Sequence, residues 1–352
     1  MKICNIGKII TAKIDGATLT HDNYISTENM MSNCGGVVAA ASVPSTKVTC
    51  FAKCDVLLSN IRPYFKKVWF ARFNGGCSND VICIRANEKD CLAQYLYYAL
   101  STDSFIDSFS ASSKGTKMPR GDKNALLSYE IPDRTIDEQQ HIVDILGSID
   151  DSIENNEKIA TNLEDYAISK YQEITRGIRD FIPLGEIVDI YDSKRKPLSS
   201  RERESRKGDY RYYGATGVLD YVNDYLFDGE YVLLAEDGTV IDENGYPIVQ
   251  LVTGQFWVNN HAHIMQAKAG YTNYSLYVAL KKLSVNTAVT GAVQLKINQA
   301  NLCALELPQI DKNKLSAFNQ EIEPLFLKII QIRAEVAKLN ELKQLYLHKF
   351  FG

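Results

Sequence analysis

No stretch of this 352-residue chain approaches eighteen consecutive apolar residues, so no membrane span is expected. The opening MKICNIGKII carries a lysine but no apolar run ending in a small-residue cleavage site, which argues against a secretory leader. No GxxxxGK[ST] phosphate cradle occurs, which removes a P-loop motor. Also missing are a glycine-rich strand-to-helix turn and an Asn/Asp-Pro-Pro-aromatic tetrapeptide. A methyltransferase acting on base amino groups through S-adenosylmethionine would be expected to show both. The 8 cysteines are too sparse for a secreted disulfide scaffold. Cys50 and Cys54 sit four apart with no second pair at zinc spacing, so reduced, mostly buried thiols in a cytosolic protein are expected. His261 and His263 would face one side of a strand, but the sequence names no further ligand, and ordinary polar roles are favoured over metal ligation.

A large positive excess is absent too. The net charge of −4 argues against indiscriminate nucleic-acid binding. The average conceals differences: residues 1–132 carry +4, 133–178 carry −7, 179–308 carry −3 and 309–352 carry +2.

What the chain does contain is itself, twice. Shifted by 176 residues, LLSYEIP (126–132) lies on LCALELP (302–308), Gly115 on Gly291, and VLL at 56–58 on VLL at 232–234. With small indels, LYYAL (96–100) matches LYVAL (276–280), and IGKI (6–9) matches LGEI (184–187). The shared order of weak matches over both halves marks a duplication. Each half reads as a mixed α/β, β-rich globular domain followed by one long helix: a first domain over 1–132, a helix over 133–178, a second domain over 179–308 and a helix over 309–352.

Both helical segments carry an apolar stripe at alternating steps of three and four. Ile142, Ile149, Ile153 and Leu163 mark it in the first, and Phe318, Ile322, Leu325, Ile329 and Leu339 in the second. That is the seam of a coiled coil. Asn156 interrupts the first stripe, Pro324 predicts a kink or a helix start in the second, and Thr135 with Glu138 suits a capping box. Each helix should be about 60 Å long. Their opposite charges and unpartnered stripes predict an antiparallel pair, with the globular domains at opposite ends of a rod related by a pseudo-twofold axis.

Binding chemistry is easier to find than catalysis. The segment 191–214 holds Lys194, Arg195, Lys196, Arg201 and Arg203 among eight cations against four acids, followed by Tyr212 and Tyr213. Such groups suit phosphates and base edges, and the patch opposes its domain's net charge. In the first domain SNIRPYFKKVW offers Asn60, Arg62, Tyr64, Lys66 and Lys67, and SSKGTKMPRGDK offers Lys114, Thr116, Lys117 and Arg120. The repeat counterpart of the latter, VTGAVQLKINQ, offers Thr290, Gln294 and Lys296. Matching loops at matching places suggest two related surfaces doing one kind of job.

At these residues the chain resembles the specificity (S) subunits of type I restriction–modification systems. YEIPDRTIDEQQHIVDILGSIDDSIENNEKI and LELPQIDKNKLSAFNQEIEPLFLKIIQIRAEVAKLNELKQLYLHKFF look like that family's two helical regions. DVLLSNIRPYFKKVWFA and IPLGEIVDIYDSKRKP with YYGATGVLDYVNDYLFDGEYVLLAEDGT look like parts of its target-recognition domains. The resemblance implies that each domain reads one half of a split, asymmetric site in double-stranded DNA. It implies that the helices set the unread spacer and bind two methyltransferase (M) subunits, and that restriction (R) subunits complete the assembly. The S chain would then be non-catalytic, cytoplasmic and without cofactor, with S-adenosylmethionine, ATP and magnesium held by its partners. Two other readings are a coiled-coil adaptor with two protein-binding lobes and no DNA role, and an unrecognised nuclease or hydrolase.

Overall fold

A computed structural model describes every residue except 114, 116, 117 and 292–294. The chain divides into two compact units, Met1–Asn155 with Val336–Gly352, and Asn156–Glu335, so each unit holds one globular domain and part of both long helices. Among the described residues no helix is long and apolar enough to cross a membrane.

The first unit is built on a four-stranded antiparallel sheet in the order Gly7–Ile9, Val81–Ala86, Val56–Ser59, Val68–Phe70. Side chains alternate across it. Val56, Leu58, Ile82 and Ile84 face a core completed by Tyr95, Leu96 and Leu100 of the helix Ala93–Leu100. Leu57, Trp69 and Cys83 face a second, smaller core with Phe51. A second sheet, Lys13–Asp15, Lys47–Phe51, Gly75–Cys77, Tyr24–Ile25, draws three strands from the chain before Val56–Ser59 and one from after Val68–Phe70.

The second unit repeats the frame and changes the insert. Its sheet begins with the same series, Val188–Ile190, Ala262–Ala267, Phe227–Ala235, Val249–Val258, and then adds Lys207–Tyr213 and Val218–Val222 to make six strands. The helix Asn273–Lys281 takes the place of Ala93–Leu100. Even the lead-in repeats: Phe181–Pro183 pairs with Glu306–Pro308, while the Met1 amino group donates to Ile131 O and Lys2 bridges Glu130. The structure corrects one alignment. The short helix Leu184–Ile187 corresponds to Ile3–Ile6, three residues earlier than IGKI, because Ile3 and Ile6 are the pair buried as Leu184 and Ile187 are.

The long helices are Ile136–Thr175 and Lys312–Phe351, the same 176-residue offset at both ends. Their N-caps match as well. Thr135 Oγ1 accepts from Glu138 N at 3.3 Å while Glu138 Oε2 accepts from Thr135 N at 2.8 Å, and Asp311 Oδ1 accepts from Asn313 N at 2.9 Å. These bonds from Thr135 hold the Glu138 carboxyl below its ordinary pKa.

The helices pair antiparallel. In the first unit Asp150 meets Lys343 at 2.5 Å, and Ile142, Val143 and Leu146 share a core with Leu347 and Phe351. In the second, Tyr171 packs on Phe318 with ring centroids 5.8 Å apart, and Glu164 meets Arg333 at 3.2 Å. Ile142, Ile149, Phe318, Ile322 and Ile329 are buried, and Ile153, Leu163 and Leu339 are half-buried. Leu325 is corrected: it is only half-buried, and its neighbour Phe326 takes the core position, stacked on Tyr274 at 5.2 Å. The helix passes through Pro324 and starts twelve residues before it, so no helix start lies there.

Candidate nucleic-acid interface

In each unit the strand at the centre of the frame ends in a turn held by the same backbone hydrogen bonds. Asn60 N donates to Asp80 O at 2.8 Å, Arg62 N to Pro119 O at 2.8 Å, and Gly121 N to Asn60 O at 3.1 Å. In the second unit Glu236 N donates to His261 O at 2.8 Å, Gly238 N to Leu295 O at 3.1 Å, and Ile297 N to Glu236 O at 2.8 Å. Isolated bridges complete the match, Ile61 with Arg120 and Asp237 with Lys296. The loops that looked like counterparts in sequence are therefore joined to the same turn in both domains.

The side chains on this turn differ. Arg62 lies in the left-handed region at φ 48°, exposed, with no side-chain partner among the described residues. For a side chain other than glycine such a conformation stores about 1–2 kcal/mol and is kept where neighbours enforce it. Tyr64 is 55% exposed and packs its ring on Phe65 at 4.8 Å. Arg120 meets Asp80 at 2.8 Å with most of its side chain in solvent. Lys67 is half-buried and donates to Thr27 O at 2.6 Å. Beside these groups opens a cleft of about 460 Å³ lined by Tyr24, Ser26, Asn29, Ala40, Ser42 and Asp80. Two of the expected contact residues are corrected. Lys66 is buried, donating to Asp103 at 2.7 Å, and Asn60 is buried with its Oδ1 unpartnered among the described residues, so neither side chain is offered to a ligand.

In the second unit the same turn is filled by an internal charge network. Arg195 donates to Glu236 Oε2 at 2.6 Å and to Ala262 O at 2.8 Å, and lies 3.5 Å from Asp192. His263 is buried, with Nδ1 2.5 Å from Asp192 and Nε2 2.8 Å from Ile297 O. Lys296 reaches Glu236 at 3.1 Å, and Asp237 meets His261. Burial alone would raise the Glu236 carboxyl, but the Arg195 hydrogen bond, His263 and Lys296 outweigh it and hold it below the ordinary value. Asp192, Glu236 and His263 approach one another closely enough to bracket a metal ion, with ligand atoms within 4.8 Å. Arg195 already supplies the cation there, and any metal would have to displace it.

Arg195 is thus corrected from a surface reader to a positioning residue, because only 13% of its side chain is exposed and its donors are committed. Tyr212 and Tyr213 are corrected likewise, at 1% and 7% exposure; Tyr212 Oη accepts from Leu198 N and its ring lies under Arg203. Arg203 pairs with Asp220 at 3.1 Å. Lys194 lies over the Tyr191 ring, while Lys196 and Arg201 are exposed with no side-chain partner among the described residues. Thr290 Oγ1 donates to Lys296 O at 3.1 Å. Lys114, Thr116, Lys117 and Gln294 lie outside the described residues. Sequence reasoning missed Glu236 and Asp220 as partners of Arg195 and Arg203, 41 and 17 positions away, and Asp192 as the partner of His263, 71 away.

The same domain built twice is also what comparison finds. The profile described as "Type I restriction modification DNA specificity domain" matches residues 3–165 and again 180–344. The chain belongs to the type I restriction modification DNA specificity family. A putative type I restriction enzyme specificity subunit of Haemophilus influenzae, S.HindORF215P, is 39% identical over 126 residues, 36% of this chain and 32% of that protein. The type I restriction enzyme MjaIX specificity subunit of Methanocaldococcus jannaschii is 24% identical over 299 residues, 74% of this chain and 69% of its own. The alignment to the first relative thus spans about a third of that protein. The crystal structure of a type I restriction–modification S subunit from M. genitalium superposes with a TM-score of 0.57 at 18% identity, covering 100% of this chain and 95% of that one, and shows a shared fold. Both specificity domains of the family profile contain one copy of the turn, at 60–62 and at 236–238.

Proposed function

We propose that this chain is the sequence-specific DNA-binding subunit of a type I restriction–modification assembly, each domain reading one half of a bipartite, asymmetric target. The observation that carries this is the duplicated turn, identical in backbone hydrogen bonds and different in side chains. A conserved backbone with divergent side chains suits two readers that dock alike on unlike sequences. In the first domain Arg62 and Tyr64 are exposed and Arg120 lies mostly in solvent while paired with Asp80, so these groups would meet a duplex, with Lys67 behind them. The 40-residue helices would set the unread spacer and receive two methyltransferase subunits, with restriction subunits completing the complex.

Adenine methylation and cleavage, and the S-adenosylmethionine, ATP and magnesium they need, then belong to those partners, and the chain works in the cytoplasm. In the second domain Arg195, Arg203, Lys207 and Lys296 are neutralised internally by Asp192, Asp220 and Glu236. Non-specific phosphate affinity would accordingly come from partner subunits, and selection among bases from this chain.

The test compares binding of random duplexes by the chain alone and by the chain with its methyltransferase subunits. Weak binding alone and sequence-selective binding in the complex are expected. Stable assembly without sequence selection would support the adaptor reading, and metal-dependent cleavage by the purified chain would make it an enzyme; either overturns the proposal.

A further inference from the structure

The two copies of the turn do not carry equivalent chemistry, and that difference points to where the second domain makes its base contacts. At the position of Arg62 stands Gly238, and the flanking Glu236 and Asp237 are anionic. The cations beside them, Arg195 and Lys296, are bound to Glu236. A turn arranged this way repels phosphate and has no free donor for a base edge.

The basic segment leaves few candidates once its internal partners are subtracted. Arg203 and Lys207 meet Asp220 at 3.1 and 2.8 Å, Arg206 lies over the Trp257 ring, and Lys194 over Tyr191. Arg211 has no side-chain partner among the described residues and is exposed. It lies on Lys207–Tyr213, directly opposite Tyr221 on Val218–Val222, while Val218 lies opposite Tyr213. Paired residues share a face, so Arg211 and Tyr221 stand together, while Val218 lies beyond the register shift between Tyr212 and Tyr213 on the same edge strand. Tyr212 and Asp220 are opposite each other on the other face, where Arg203 covers them. Tyr221 is 50% and Val218 41% exposed, although both are large and apolar. The acid nearest in the strand, Asp209, falls in the bulge between Lys207 and Tyr210.

The hairpin is also held in place. Val218–Val222 is the outermost strand of its sheet, and Gln250 Nε2 donates to Gly214 O and Ala215 O at 3.1 and 3.0 Å, fixing the tip. We propose that the second domain reads its half-site by laying the hairpin Lys207–Tyr213/Val218–Val222 into the major groove, with Arg211 donating to a base and Tyr221 packing on its neighbour. A two-stranded ribbon fits that groove, arginine pairs bidentately with guanine O6 and N7, and apolar groups meet the thymine methyl. This rests on the DNA-reading role proposed above and assigns the two half-sites to non-equivalent elements, the Arg62 turn in one domain and the Arg211 hairpin in the other.

The experiment selects duplexes from a randomised library with the assembled chain–methyltransferase complex, comparing wild type, Arg211→Ala, Arg211→Lys, Tyr221→Ala and Arg62→Ala. Thermal unfolding checks each fold. Arg211→Ala and Arg211→Lys should each relax discrimination at one base pair of one half-site by roughly tenfold or more, leaving the other half intact. Tyr221→Ala should relax a neighbouring position of the same half, and Arg62→Ala the opposite half. A wild-type motif that Arg211→Ala leaves unchanged overturns the hairpin's role alone. So does an equal loss for all sequences, which would mark a phosphate contact, or lost methyltransferase assembly, which would mark a protein contact. A wild type that selects no motif removes the DNA-reading role itself.

Discussion

Asp150 and Phe326 occupy the same position in two helices that begin 176 residues apart, and they do opposite things. Asp150 accepts from Tyr98 Oη at 2.9 Å and meets Lys343 at 2.5 Å. Phe326 is 1% exposed, stacked on the Tyr274 ring and edge-to-face with Tyr277. The turns diverge in the same way: a free Arg62 in one copy, Gly238 beside a closed charge network in the other. What the duplication has kept is backbone pairing, sheet order and helix caps. What it has exchanged is how side chains are used, and the protein thereby has two similar frames with different surfaces.

Truncation separates the two helices most. Phe326→Ala should destabilise the second unit by about 3–5 kcal/mol, the range for deleting a buried ring. Asp150→Ala should cost about 1–3 kcal/mol, since it strands a buried hydroxyl and an ammonium rather than opening an aromatic-sized cavity. Denaturant unfolding measures both, and a larger loss for Asp150→Ala would reverse the comparison.

The turns should separate next. Arg195→Ala leaves Glu236 and Asp192 short of their main cation, so about 3 kcal/mol of stability should be lost, with Arg195→Lys recovering only part. Arg62→Gly should change stability by less than about 1 kcal/mol, because relief of the left-handed strain offsets the added chain freedom of glycine. A large loss at Arg62 and a small one at Arg195 would exchange their assigned roles.

Acid should distinguish the domains least, but with a fixed sign. Glu236 has its pKa lowered in the folded state, so its contribution is present above the ordinary glutamate value of about 4.3 and is lost as pH falls through the folded value. Asp220, held down chiefly by its hydrogen bond from Lys207, acts in the same direction and the same domain. Melting of the second unit should therefore steepen below about pH 4.3, and Glu236→Gln should flatten that limb. An unchanged acid limb in Glu236→Gln would remove the network from the account.

How far the sequence could be read follows from the range of each interaction. The long helices, the Thr135–Glu138 cap and the duplicated order were all readable, because periodicity, capping and repetition are local or translational signals. The slip at Ile3–Ile6 came from matching a glycine where burial was the shared property. The exchange of Leu325 for Phe326 depended on Tyr274, which no heptad count includes. The basic segment was visible as composition, but which cations are neutralised was not. Beyond the local Asp192, the partners of Arg195 lie at 236 and 262, brought to it only by the sheet. Arg211, one of the eight cations of the 191–214 segment, was singled out only when strand register placed it opposite Tyr221.

Methylation-aware sequencing of a host genome with this gene present and absent tests the central claim most directly. The account predicts modified adenines in one motif that depends on the gene, made of two dissimilar half-sites separated by an unread spacer of constant length. Gene-independent methylation, or one uninterrupted motif, would contradict it.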